Sequence, residues 1–235
     1  MQLEEASTVL TKLDLSLSIL TSHQSPPHPI SARVPPTLSN KTDQTWVPTP
    51  QGWFLGTWYF SWSSSVTYQS WRNMQWTLSL RETNSRNDTL NDLTSYQDPD
   101  SSTVYMIYGI DTPTVVQDTP QRDTYNFVPT PPLSADNNTW EVISWGYDEV
   151  GVPYSVLYET AAAAQTEGVF DIISRSDKGP SQETLRLINA TVKAMGNQEV
   201  ITLLGQVEPL TQDGSRIGEL DPICNATCLT NGECP

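Results

Sequence analysis

Histidine is confined to His23 and His28, ahead of every segment that alternates like a strand. A Ser-His-Asp triad and a His-ligated metal are thereby excluded from the body of the chain. Lys12, Lys41, Lys178 and Lys193 all fall outside the expected strands, so no Schiff base forms there. Neither a Gly-rich phosphate loop nor a dinucleotide fingerprint occurs, and no cofactor is expected. Proton chemistry is left to tyrosines and carboxylates. If the protein is an enzyme, the candidates are Tyr108, Tyr154, Tyr158, Glu159 and Asp171, which stand on central expected strands. Glu159 and Asp171 read first as solvated groups on an outer face. Turned inward, burial would raise their pKa and suit either one to general acid or base work.

The elements that must position these residues are mostly strands. Alternation and β-favouring composition predict strands near 54–63, 73–83, 90–97, 103–110, 139–146, 152–160, 168–175 and 200–207. The clearest is 73–83, with Met74, Trp76, Leu78 and Leu80 on one face and Gln75, Thr77, Ser79 and Arg81 on the other. Leu185, Ile188, Val192 and Met195 form one apolar stripe at helical spacing and predict a helix over 181–196. Residues 111–138 carry five prolines and read as a long loop with room for one short strand, placed to cover a barrel mouth. Residues 1–24 fit an amphipathic helix and a strand about equally well. Residues 25–50 read as a Pro-rich strap.

Composition excludes several function classes. The net charge is −15, with only 12 basic residues, against nucleic acid and anionic membrane surfaces as partners. No apolar stretch is long enough for a transmembrane helix. Cys224, Cys228 and Cys234 crowd the C-terminal end; two can close a small loop and leave one thiol, and zinc lacks a nearby fourth ligand. No metal is expected. N-x-S/T sequons stand at Asn40, Asn87, Asn137, Asn189 and Asn225, which fits passage through the secretory pathway as a glycoprotein. Met1–His23 does not read as a signal peptide, because Glu4 and Glu5 occupy its basic end, so a cytoplasmic location is the alternative.

Two motifs then stand out. Gly56-Thr57-Trp58 opens the first expected strand, within Leu55–Ser65. Gly168–Arg175 ends a late strand in arginine, followed by the expected helix. Strand start with Gly-x-Trp, then strand, arginine and helix at the far end, resembles the lipocalin pattern. Trp145-Gly-Tyr-Asp148, followed by Val152–Tyr158, is similar to the family's middle motif, although the Thr-Asp-Tyr order is not kept. The resemblance covers roughly residues 52–210. An unrelated β-sandwich with a C-terminal helix is the alternative.

The resemblance implies an all-β fold: an eight- to nine-stranded up-and-down antiparallel barrel with one C-terminal helix packed outside and an N-terminal extension. The chain would divide into an extension over 1–50, a barrel with flanking helix over 51–210 and a Cys-containing tail over 211–235. It implies that Gly56, Trp58 and Arg175 are structural, with Arg175 packed across Trp58. It also implies a cavity that binds one small hydrophobic molecule, in a monomer or homodimer. The wall candidates are Phe60, Trp62, Trp76, Met106, Tyr108, Trp145, Tyr154, Tyr158 and Phe170, with plain core filling as the other reading of each. The second functional class is a cofactor-independent cyclase of Diels-Alderase type, or an isomerase, acting on a hydrophobic secondary metabolite. Such barrels work by orienting a flexible substrate against aromatic walls.

Overall fold

Each strand of the barrel finds an antiparallel partner on both sides. In the computed structural model, residues 30, 32–39, 45–81, 89–116, 119–131, 133 and 135–219 are described. The expectations for residues 1–24, for His23 and His28, for the sequons at Asn40, Asn87 and Asn225, and for the three cysteines lie outside the described residues. The strands are β1 Gly56–Ser63, β2 Arg72–Leu80, β3 Leu90–Gln97, β4 Tyr105–Val116, β5 Thr119–Pro129, β6 Asn138–Tyr147, β7 Pro153–Glu159, β8 Val169–Ser174 and the short β9 Glu208–Pro209. The helices are α1 Val66–Gln69, α2 Gln182–Ala194 and α3 Gln198–Leu204. Neighbours run β2-β3-β4-β5-β6-β7-β8-β1, and β1 also pairs with β2, which closes an eight-stranded barrel. Closure leaves no long unpaired edge among these strands. β9 adds to β1 beyond the register shift between Phe60 and Trp62.

One end of the barrel is closed by aromatic rings. Trp58 is fully buried and packs against Trp53 and Phe54, at centroid separations of 5.7 and 5.9 Å. Phe54 meets Trp140 edge-on at 5.3 Å, and Trp140 stacks on Tyr125 at 4.3 Å. Arg175 lies over the Trp58 ring, and Gly56 turns beneath it with a positive φ of 90°. A Cβ at Gly56 would sit 3.2 Å from Arg175 Nη1, so glycine serves both the turn and the close approach.

The helical layer covers β6–β8 from outside. Ser181 caps α2 by accepting from Thr184 N, and Glu183 stands in its first turn. Ile188 and Val192 of α2, with Val200, Leu203 and Leu204 of α3, bury the outward side chains Tyr154, Val156, Tyr158, Phe170 and Ile172. Residues 200–207, expected as a strand, are instead mostly helix α3. Asn197 caps it by accepting from Val200 N, and Val200, Leu203 and Leu204 recur at helical spacing against β8.

Residues 111–138 also differ from expectation. Most of them extend β4 and form β5, a long hairpin rather than a loop. The ladder tolerates proline because its register shifts between Pro113 and Val115, and Pro129 ends β5. Gly109 is obligatory in this hairpin, since a Cβ there would lie 2.2 Å from the Phe127 ring.

Two segments strap the barrel from outside. Arg33 donates to Val142 O and Asp123 O, and Thr37 donates to the Glu141 carboxylate on β6. At the other end of the chain, the buried Arg216 donates to Asn73 O and Ser95 Oγ, each at 3.1 Å.

Candidate functional site

The half of the barrel above the aromatic plug is hollow. A cavity of about 560 Å³ lies between β1–β7 and α1. Trp76, Trp140 and Phe60 form its base, with Leu157, Phe127 and Ile107 on the sides. The open end is rimmed by half-buried rings: Trp71 stacks on Tyr96 at 3.7 Å, and Tyr96 on Tyr105 at 5.6 Å. Ser65 caps α1 by accepting from Tyr68 N, which turns the Tyr68 ring inward beside Phe60 at 5.8 Å.

The ionisable groups that line this cavity are carboxyls and phenols. Asp92 and Glu159 line it, with Asn138 and Tyr68 beside them, and no Lys, Arg or His is among the lining residues. Register explains the arrangement. Asp92 pairs with Gly109, so Asp111 two residues on shares its face diagonally. Leu157 pairs with Asp171 and Glu159 with Val169, so Glu159 and Asp171 form a second diagonal pair. β3–β4 and β7–β8 are on opposite sides of the closed sheet.

All four carboxyls are buried, with Asp111 and Asp171 fully so. Burial raises the pKa of each. Asp92 is pushed up to about 7, with the Trp76 indole and Asp111 beside it pulling the other way. Asp111 is raised well above the carboxylate range by burial and then by the nearby Asp92 charge. Asp171 behaves alike, through burial and then Glu159. Glu159 is raised by burial, but Asp171, Tyr68 and Asn138 all favour its ionised form. Tyr68 Oη and Asn138 Nδ2 donate to Glu159 Oε2 at 3.4 and 3.1 Å. Oδ1 of Asp92 and both carboxyl oxygens of Asp111 and of Asp171 accept no hydrogen bond of good geometry among the described residues. Two acids held side by side resist double ionisation, which favours retention of a proton by each pair.

The expected site residues divide by face. Phe60, Trp76 and Glu159 line the cavity, and Met106 borders it while its side chain clusters with Leu93 and Tyr108. Asp171 lies buried behind Glu159 rather than solvated, and Glu159 likewise points in. Tyr108 points away and donates to Asn91 Oδ1 at 2.8 Å. Tyr154, Tyr158 and Phe170 belong to the outer layer under α2 and α3, because apolar residues occupy both faces of β7 and β8, and Trp62 of β1 joins them where the register on β8 shifts between Phe60 and Trp62. Tyr158 Oη donates to Glu199 Oε1 at 2.6 Å, and burial with that carboxylate raises its pKa. Burial pushes Tyr154 up to about 12. Trp145 packs on Trp53 at the closed end, at 5.0 Å, and donates to Val47 O. Sequence reasoning missed Asp92, Asp111, Tyr68, Trp71, Tyr96, Tyr105, Asn138 and Trp140. Asp92 had a legible signal: it shares the strand face of Leu90, Thr94 and Tyr96, where an acid interrupts the buried side.

A closed eight-stranded antiparallel barrel, Arg175 over Trp58 at its closed end and a helix packed outside define the lipocalin, or calycin, fold. No protein-family profile matches the chain. It is 28% identical over 228 residues to botcinic acid biosynthesis cluster B protein 12 of Botryotinia fuckeliana (strain B05.10), covering 90% of this chain and 97% of that protein. Among solved structures it is similar to lobster apocrustacyanin A1, with 13% identity, 70% of this chain and 81% of that one covered, and a TM-score of 0.49. The allergen Per a 4 from cockroaches gives 14% identity, 74% and 95% coverage and a TM-score of 0.49. Insecticyanin from Manduca sexta gives 11%, 69% and 80% coverage, and 0.47.

Proposed function

We propose that the protein binds one small, predominantly hydrophobic molecule inside the barrel. The observation that carries this reading is the cavity of about 560 Å³, walled by aromatic rings above a closed aromatic plug. A space of that size with a few convergent polar groups is the ordinary form of a small-molecule site. An apolar fluorescent probe should bind with one-to-one stoichiometry and quench tryptophan emission through Trp71 and Trp76. Thr94→Trp, which fills the cavity from β3, should abolish binding while the circular dichroism of the barrel is retained. Equal binding by the filled variant would refute the assignment.

A second reading is a cofactor-independent cyclase or isomerase of secondary metabolism. It is favoured by the two carboxyl pairs, which a passive apolar container does not need. The 28% identical relative named for a biosynthesis cluster agrees with that setting. Conversion of a small molecule that co-purifies with the protein, followed by mass spectrometry, separates the two readings.

A further inference from the structure

The carboxyl pairs place acid and base groups on facing walls of one apolar cavity. Asp92, on β3, is backed by Asp111 on β4; Glu159, on β7, is backed by Asp171 on β8. Of these four carboxyls, Asp92 and Glu159 line the open space. The Asp92 carboxyl is buried at the cavity wall beside Trp76 and Asp111, and its Oδ1 accepts no hydrogen bond of good geometry among the described residues. The other titratable groups facing this space are Tyr68 on α1, Tyr96 and Tyr105 at the rim, and Asp136, whose Oδ1 accepts from Ala164 N. No cysteine, lysine or histidine is among the described residues that line it.

We propose that this cavity is an acid–base site for intramolecular ring closure of a hydrophobic hydroxy-epoxide, with Asp92 as general acid and Glu159 as general base. The inference rests on the enzymatic reading of the cavity. The substrate hydroxyl oxygen forms a new C–O bond to one epoxide carbon while the C–O bond from that carbon to the epoxide oxygen breaks. Its electron pair stays on the epoxide oxygen, which takes the carboxyl proton of Asp92. The proton of the attacking hydroxyl passes to the Glu159 carboxylate. The product is an isomer of the substrate, nothing is oxidised or reduced, and solvent at the open end returns the two acids to their starting protonation. The walls suit this reaction. Positive charge grows on the carbon under attack, and the π-faces of Trp76, Phe60 and Tyr105 stabilise it.

The division of roles follows from the surroundings. Asp92 titrates near neutrality, where a general acid is most effective. Glu159 is the member of its pair that accepts hydrogen bonds from Tyr68 and Asn138, which favour its ionised form against the effect of burial. Asp111 and Asp171 are positioning residues that act through their partners.

The test uses the full chain and a phenyl-substituted hydroxy-epoxide whose hydroxyl reaches the benzylic carbon through a three-carbon tether. Binding is read by tryptophan quenching and ring closure by chromatography of the isomeric ether. After chelator treatment and dialysis, the wild-type chain should accelerate closure, and Asp92→Asn and Glu159→Gln should each lose roughly a hundredfold, with probe affinity within about threefold. The rate should fall as pH rises through about 7, where Asp92 loses its proton. Asp111→Leu removes the neighbour that lowers the Asp92 pKa, and should move that falling limb to higher pH. Binding without acceleration, or equal rates in Asp92→Asn, would overturn this proposal and leave the binding function standing. Absence of binding would remove both. A naphthylalkyl amine bound more than tenfold tighter than the matched alcohol, and lost in Asp92→Asn, would overturn it in favour of a cation site.

Discussion

The Arg175 guanidinium lies 4.0 Å from the centroid of the Trp58 ring and closes the barrel from below. The same group donates to three backbone carbonyls, those of Thr57 and Leu55 at 2.6 Å and of Trp53 at 2.9 Å. It thus joins the end of β8 to the chain entering β1. Arg175→Met keeps the apolar contact but leaves three carbonyls without their donor, and should cost about 2–4 kcal/mol by urea denaturation. Trp58→Ala should cost about 3–5 kcal/mol through the cavity it opens. Ligand affinity should change less than stability in Arg175→Met, because Arg175 is not among the cavity-lining residues.

Stability should decline as pH rises from about 4 to 7. A carboxyl whose folded pKa is raised binds its proton more tightly in the native state, so its contribution is whole below the unfolded pKa and is lost through the folded one. For Asp92 the window runs from its ordinary value of 3.8 to about 7, equivalent to roughly 4 kcal/mol at most. Asp111 and Asp171 act in the same direction, since burial raises both. Asp92→Asn should flatten the lower part of the profile and raise stability above pH 7. A denaturation midpoint independent of pH over this range would contradict the buried, protonated pairs.

Gly109→Ala should destabilise by about 2–3 kcal/mol. The added Cβ meets the Phe127 ring at 2.2 Å and Val128 O at 2.7 Å, and the carbonyl belongs to a paired strand that cannot yield. Because Phe127 lines the cavity, probe binding should weaken as well, and the double variant Gly109→Ala/Phe127→Leu should regain part of the stability.

Tyr158→Phe separates the two faces of β7. It removes the donor to Glu199 and should lower stability by about 1 kcal/mol, with probe affinity unchanged. Trp71→Ala should do the reverse, since Trp71 stacks on Tyr96 at the open end and is half-buried. Loss of affinity in Tyr158→Phe would show that the assignment of faces is wrong.

Several elements were legible from local pattern alone. Trp58 and Phe60 on β1, the alternation of Met74, Trp76 and Leu78 on β2, and the capped stripe of α2 each state their structure within a short window. The Gly-x-Trp and strand-arginine motifs located the two sides of the closed end, and the absence of His and Lys from the strands limited the chemistry to acids and phenols. α3 was misread because Val200-Ile201-Thr202 favours a strand locally, while the cap at Asn197 and packing on β8 decide for helix. The β4–β5 hairpin was misread because its prolines look like loop punctuation until a bulge and a strand end accommodate them.

By itself the sequence determined which segments are extended, where one helix starts and which reactive groups exist at all, since propensity, capping and composition act over a few residues. The tertiary structure decided which side of each strand faces the cavity. On β7 and β8 both faces are apolar, one toward the barrel and one under α2 and α3, so alternation there carries no label for inside. A shift of one residue exchanges the two faces, and only the closed ladder and its helical cover fix the choice. The same ladder brings Asp92 beside Asp111 and Glu159 beside Asp171. Acids a strand or a loop apart in sequence become buried neighbours because strand register, a non-local property, aligns them on one face.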